Sequence, residues 1–335
     1  MKYLIWITAF FVSFSTLNAQ DKNTSYQRPN IAITPAHTYS IVAYDKQTGQ
    51  FGAAVQSHWF SVGADVIWAE PGVGAVATQS FIEVSYGPNG LAMMRDGKTA
   101  VETLKYLLSK DEHEDVRQVG MVDANGTSAN HTGNNAIIAH CDLLGDGFAV
   151  QANLMENPTV CAAMAKAYEN TKGDLAAKLM AALEAAQNEG GDIRGQQSAA
   201  LLVVEGEKGT PLWQGRVFDL RVEDNPAPIA EMKRLLHVAR AYRLMTSGDN
   251  YMTEGKVEEA LKAYAEAENM MPNSHEAIFW HAATLAAIDR LEESLPLFKK
   301  AFDMHPLWRK LVPRLPQSGL LPNDPALIET ILNVQ

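Results

Sequence analysis

Every strand signal in this chain falls before residue 225, and the signals come in groups with pairs of helices between them. That order limits the fold more than any other feature. Alternation of period two marks strands at 38–45 and 50–57, joined by the turn Asp45-Lys46-Gln47-Thr48-Gly49, with further strands at 64–69 and 73–79. Two helices follow. One opens at Gly87-Pro88-Asn89 and carries Leu91, Met93 and Met94; the other opens at Lys98-Thr99 and carries Val101, Leu104, Leu107 and Leu108 at helical spacing. Strands resume at 116–123, 127–132 and 147–153, the first two joined across Asp123-Ala124-Asn125-Gly126. Helices at 158–170 and 174–188, the second stopped by Gly190-Gly191, lead to strands at 197–205 and 213–222. Strands grouped away from helices argue against a doubly wound parallel sheet. The pattern predicts an α+β fold: a largely antiparallel β-sandwich with a helix pair on each outer face. The apolar run at 199–204 suits a strand covered on both faces.

After Asn225-Pro226-Ala227-Pro228 the strand signal ends and helical patterns run almost to the end, so a boundary is expected near 225. Within 226–335 two segments match at an offset of 34 residues, KVEEALKAYAEAENMMP (256–272) and RLEESLPLFKKAFDMHP (290–306). A helix–turn–helix period of this length resembles the tetratricopeptide repeat, with copies at about 241–274 and 275–308. Gly248, Tyr251 and Ala260 fit that pattern in the first copy; the second departs from it at Ala282, Leu285 and Ser294. A stable array needs roughly three repeats. The helix expected at 228–243 and the tail from Pro325 to Leu332 are therefore expected to cap the ends. Such a concave surface suits a peptide or protein partner. The same surface also serves to pack on the main domain or to pair two copies into a homo-oligomer.

The first 19 residues carry a lysine, an apolar run and small residues up to Leu17-Asn18-Ala19. This is the plan of a secretory signal peptide, expected to be cut after Ala19 for export to a bacterial periplasm or beyond. A retained N-terminal anchor is the other reading, although the run is short for a span, and no other stretch approaches spanning length. Residues 20–37 are polar, contain Pro29 and Pro35, and read as a leader. With 28 basic against 39 acidic side chains, the net charge of −11 argues against a nucleic-acid partner. Cys141 and Cys161 are the two cysteines, each in an apolar context; a bridge and two buried thiols are both open.

The chain contains no HExxH, CxxC, G-x-S-x-G or P-loop lysine motif, and its nine histidines show no metal-ligand spacing. No cofactor or metal is implied. The chemistry-bearing candidate is Thr38, at the head of the first strand. A threonine whose own α-amine is free can use that amine as base and its hydroxyl as nucleophile on an amide carbonyl. Its plain reading is a strand-initial β-former. Ser57, which closes the second strand, either meets substrate or ends the strand. Asn153 follows an apolar strand and is an oxyanion donor or a turn cap. Gly191-Asp192-Ile193-Arg194-Gly195-Gln196-Gln197-Ser198 is the richest polar stretch. Arg194 suits a substrate carboxylate, and Asp192 and Gln197 would shape the pocket; a mutual Asp192–Arg194 ion pair that fixes the loop is the competing reading. Tyr86-Gly87-Pro88 either lines the same cleft or forms a tight helix entry.

The block from Thr38 to about Glu223 resembles the DUF1028 family. The stretches that carry the resemblance are TYSIVAYD (38–45), GAAVQS (52–57), PGVGAVATQS (71–80), SYGPNGL (85–91), VRQVGMVD (116–123), GFAVQAN (147–153) and GGDIRGQQSAALLVV (190–204). The resemblance implies an Ntn-hydrolase-like fold, a four-layer αββα sandwich, and supplies no established reaction. The resemblance implies a start of the Met-Thr kind found in many members, where loss of Met exposes the threonine. Here a leader precedes it, and a second cut between His37 and Thr38 is required. The expectation is an exported hydrolase of an amide or related C–N bond in a small molecule or peptide. Thr38 and Asn153 would be catalytic, and Ser57, Asp192, Arg194 and Gln197 substrate-binding. The alternative is a non-catalytic scaffold that recruits protein partners through the repeats.

Overall fold

The computed structural model describes residues 35, 36 and 38–334. The expected signal peptide (1–19) and all but two residues of the leader (20–37) lie outside the described residues. The first region is mixed α+β with two antiparallel sheets, and an all-helical segment follows. Its strands are β1 (Pro35–Ala36), β2 (Thr38–Tyr44), β3 (Phe51–Ser57), β4 (Ile67–Glu70), β5 (Gly74–Phe81), β6 (Arg117–Asp123), β7 (Ser128–Thr132), β8 (Cys141–Gly145), β9 (Phe148–Ala152), β10 (Ser198–Val204) and β11 (Arg216–Val222). Its helices are α1 (Tyr86–Arg95), α2 (Ala100–Leu108), α3 (Val160–Asn170), α4 (Leu175–Asn188) and the single turn α5 (Leu212–Gly215).

One sheet runs β11-β10-β3-β2-β9-β8. The other runs β1-β5-β6-β7, with β4 also on β5. β4 and β1 share one edge of β5: β4 covers 74–77, and β1 pairs with Ser80 and Phe81. Three strands differ from the sequence reading; the strand expected at 64–69 is β4 at Ile67–Glu70, after a 3-10 turn at Val62–Ala64. β8 was not foreseen, because Cys141-Asp142-Leu143-Leu144-Gly145 is a short edge strand with half-exposed side chains. The expected strand at 213–222 begins at Arg216, after Pro211 opens the turn of α5.

Alternation along each strand sorts the side chains into layers. On β2, Tyr39, Ile41 and Ala43 join a core with α3, α4 and the alternate residues of β9 and β10, including Val150, Leu201 and Val203. Val42 instead joins Phe51, Ala53, Val55, Ala75, Ala77, Val122 and Ala149 in a second core that draws on both sheets. A third core sets Val76, Val119 and Met121 of β5 and β6 against Leu91, Met94 and Leu104 of α1 and α2. The helices are well begun. Thr99 and Glu102 form a capping box on α2, and the Asp174 side chain accepts from Ala177 N–H on α4. Cys141 of β8 and Cys161 of α3 are bridged, with their Cα atoms 6.0 Å apart.

The helical segment comprises α6 (Pro228–Thr253), α7 (Val257–Met270), α8 (His275–Ala287), α9 (Leu291–Met304), α10 (Trp308–Leu311) and α11 (Pro325–Leu332). α6 continues past the expected end at 243. Its start belongs to the first region, because Ile229, Met232 and Leu236 lie in the core with α4 and β10. Its later turns pair with α7. Gly248 is needed there for close approach: a Cβ would stand 2.7 Å from the Tyr264 ring. Phe279, Phe298 and Phe302 centre the core of α8 and α9.

Candidate functional site

The inward face of the two sheets changes character along its length. Antiparallel register brings the start of β2, the end of β3, the end of β9 and the start of β10 to one end of the larger sheet. Thr38 sits opposite Ser57, and Ser198 opposite Ser57 on the other side. Asn153 N–H donates to the Thr38 carbonyl at 3.1 Å. The inward positions at this end are Thr38, Ser40, Ser57, Gln151, Asn153 and Ser198, all fully buried. Facing them across the gap are Gln79 of β5 and Gln118 of β6, a register pair, both fully buried.

These side chains form one hydrogen-bonded network. Ser40 Oγ donates to Gln79 Oε1 at 2.6 Å, and Gln151 Nε2 donates to Ser40 Oγ at 2.6 Å. Gln79 Nε2 donates to Gln118 Oε1 at 2.7 Å and to the Thr38 carbonyl at 3.1 Å. Asn153 Nδ2 donates to Gln118 Oε1 at 2.9 Å. Gln118 Nε2 reaches Thr132 Oγ1 at 2.9 Å and the Ala152 carbonyl at 3.1 Å. Gly120 makes room for the layer, since a Cβ there would stand 2.3 Å from Gln151 Oε1.

Two residues beside the network hold a left-handed backbone that side chains disfavour. Ser80, next to Gln79, has φ 72°, and Leu154, next to Asn153, has φ 58°. Ser80 Oγ is buried with no hydrogen-bond partner among the described residues. Ser80 also pairs with Ala36 of β1, so the last described part of the leader lies along the strand that carries Gln79.

The polar loop after α4 closes the same sheet end from outside. Asp192 accepts from His58 N–H at 3.2 Å, just beyond Ser57, and its carboxylate is forked by Arg194 at 3.0 and 2.6 Å. The Asp192 carboxylate is fully buried and the Arg194 side chain 27% exposed. Tyr39, on the outer face of β2, donates to Gln187 at 2.9 Å, and burial, with Asp192 nearby, pushes its hydroxyl well above the ordinary range. Gln197 N–H donates to the Ser57 carbonyl, while its side chain turns to Asp224 at 3.2 Å.

The structure thus brings Thr38, Ser57 and Asn153 together on one buried inward face. It places Asp192, Arg194 and Gln197 at the end of that sheet, with the Asp192 and Arg194 side chains on each other and the Gln197 amide away from the network. Tyr86 belongs to the core beneath α1, where it donates to Asp111 at 3.2 Å. The sequence reading missed Ser40, Gln79, Gln118 and Gln151. Their signal was a glutamine recurring at the inward phase of three apolar strands, in GAVATQS, RQVGMV and FAVQA. Among the described residues no three His, Cys, Asp or Glu side chains converge as metal ligands, and no helix is long and apolar enough to cross a membrane.

Residues 38–232 match the sequence profile of DUF1028, described as a family of unknown function. No curated protein matches the chain. Among solved structures, the chain is similar to protein SPO2555 from Silicibacter pomeroyi, whose description carries the same family. The two share 27% sequence identity with a TM-score of 0.55, over 61% of this chain and 89% of the other.

Proposed function

The chain belongs to the DUF1028 family, and from that premise we propose that its first region hydrolyses an amide or related C–N bond, with Thr38 as an N-terminal nucleophile. The observation that carries this reading is the position of Thr38. It heads β2 inside a buried polar layer, with Asn153 on its carbonyl and Ser57 across the strand pair. Two facing sheets with helices on their outer cores support the finer fold reading, an Ntn-hydrolase-like αββα sandwich. The paired helices α6 to α9, with Gly248 tight against Tyr264, support two tetratricopeptide-like repeats. The signal-peptide plan of residues 1–19 supports export.

In this mechanism a cut after His37 frees the Thr38 α-amine. The amine takes the Oγ1 proton as Oγ1 attacks the substrate carbonyl carbon. Asn153 stabilises the oxyanion, held in place by Gln118. The C–N bond breaks as the ammonium returns its proton to the leaving nitrogen, and water then hydrolyses the ester and restores threonine. Ser57 borders the reacting group, and the Asp192–Arg194 pair with Gln197 fixes the rim.

The test begins with the intact mass and N-terminal sequence of the exported protein. A chain starting at Thr38 is expected, with turnover of members of a small-amide panel that falls about a thousandfold or more in Thr38→Ala. A mature chain that keeps residues 20–37, or equal turnover by Thr38→Ala, would overturn the reading. The second reading, a binding protein that uses its helical repeats, is favoured by a separate observation: the cavity in the helical segment described next.

A further inference from the structure

A cavity of about 650 Å³ lies between α6 and α8, floored by Tyr264 of α7. One stripe of α6 forms its first wall, from Tyr242 through Asp249 to Thr253, at helical spacing. Glu276 and Trp280, one turn apart on α8, form the second. Each carboxylate is steered by a phenol. Tyr264 donates to Asp249 Oδ1 at 2.5 Å, and Tyr242 donates to Glu276 Oε2 at 2.6 Å. Burial and the bond to Asp249 raise the Tyr264 hydroxyl above its ordinary range, and the bond to Glu276 raises that of Tyr242. Both phenols therefore keep their protons and act as donors. Among the described residues, no lysine, arginine or histidine lines the cavity.

We propose that this groove binds a peptide segment carrying lysine or arginine. The carboxylates pair with the cation, and the faces of Tyr242 and Trp280 add cation–π attraction. Met245 and Met252 offer pliable apolar surface to the side-chain stem. The length of the groove favours a peptide over a small free amine. From Tyr242 to Thr253 the α6 wall rises about 16 Å, the reach of roughly five extended residues. Tyr242 and Asp249 are seven residues apart, about 10 Å along the helix, which matches basic residues three apart on a polyproline II segment, where such residues share one face about 9 Å apart.

The test is calorimetric titration of the full exported chain with the acetylated, amidated hexapeptide AKAAKA. Its norleucine analogue and spermidine serve as comparisons. The lysine peptide is expected to bind at least about tenfold tighter than the norleucine analogue, and the Asp249→Asn/Glu276→Gln double variant to lose about tenfold. Asparagine and glutamine still accept from the two phenols, so the variant keeps those bonds. If the variant fails to fold, salt gives the second measurement: the wild-type affinity should fall about fivefold between roughly 50 and 500 mM NaCl. Equal binding of the norleucine peptide, a salt-independent affinity, or binding of spermidine without the hexapeptide would each overturn the proposal.

Discussion

The space between the two sheets is filled in two ways. Toward one end Val42, Phe51, Ala53, Val55, Ala75 and Ala77 close into an apolar layer. Toward the other end the same strands, at the same inward phase, carry Thr38, Ser40, Ser57 and Gln79, with Gln118 and Gln151 beside them, all fully buried. Backbone pairing and burial are alike in the two halves, so side-chain chemistry alone separates them. A chain that needed only a core would continue the apolar layer, because each buried amide that misses a partner costs about 1–3 kcal/mol. The polar half is the less stable filling, and two strained residues, Ser80 and Leu154, flank it. Sites that hold chemistry break local rules in this manner.

The largest stability effect should come from the apolar half. Phe51 is buried and stacks on Tyr44 with ring centroids 5.0 Å apart. Phe51→Ala should cost about 3–5 kcal/mol in denaturant melts. A much smaller loss would mean that the apolar half is loosely packed and that the contrast between halves is weaker than it looks.

Next comes the clamp at the rim of the polar half. Arg117 Nε donates to Asp111 at 2.7 Å, and its Nη1 holds the Phe81 carbonyl at 2.8 Å. Removing the carboxylate leaves a largely buried cation, so Asp111→Ala should cost about 2–3 kcal/mol, less than a fully buried pair because this one lies at the rim. Burial opposes the charge on Asp111, but bonds from Arg117, His113 N–H and Tyr86 outweigh it and hold the carboxyl below its ordinary value. A depressed folded pKa stabilises fully above the unfolded value of about 4 and ceases to do so as pH falls through the folded one. Acid melts should therefore steepen below pH about 4 in the wild type and less so in Asp111→Ala.

Much of this was legible in the sequence. Alternation in TYSIVAY assigns Tyr39 and Ile41 to one face and Ser40 and Val42 to the other, as found. Thr38, Ser57 and Asn153 could be read as neighbours because each ends or begins a strand. The glutamines could not. In a strand with one solvated face, an isolated glutamine reads as outward. Here both faces are covered, and polarity no longer reports direction. α6 reads too short because a first repeat copy starting at about 241 implies a new helix there, whereas one helix runs from Pro228 to Thr253. The two cysteines could not be paired from spacing, since β8, which carries Cys141, was itself unforeseen.

The smallest expected stability change decides most about the polar half. Gln118 Oε1 accepts from both Gln79 and Asn153, so Gln118→Leu keeps the volume and leaves two buried donors without that acceptor. The single change should cost about 1–3 kcal/mol. Gln79→Leu should cost a similar amount, because Ser40 Oγ loses its acceptor. Replacing both removes the amide pair together, so the double variant should be more stable than the sum of the singles by about 1 kcal/mol or more. That coupling is the signature of a dry Gln79–Gln118 amide pair. Strict additivity in the cycle would mean that the amides are separately solvated, and the two halves would then differ in composition but not in kind.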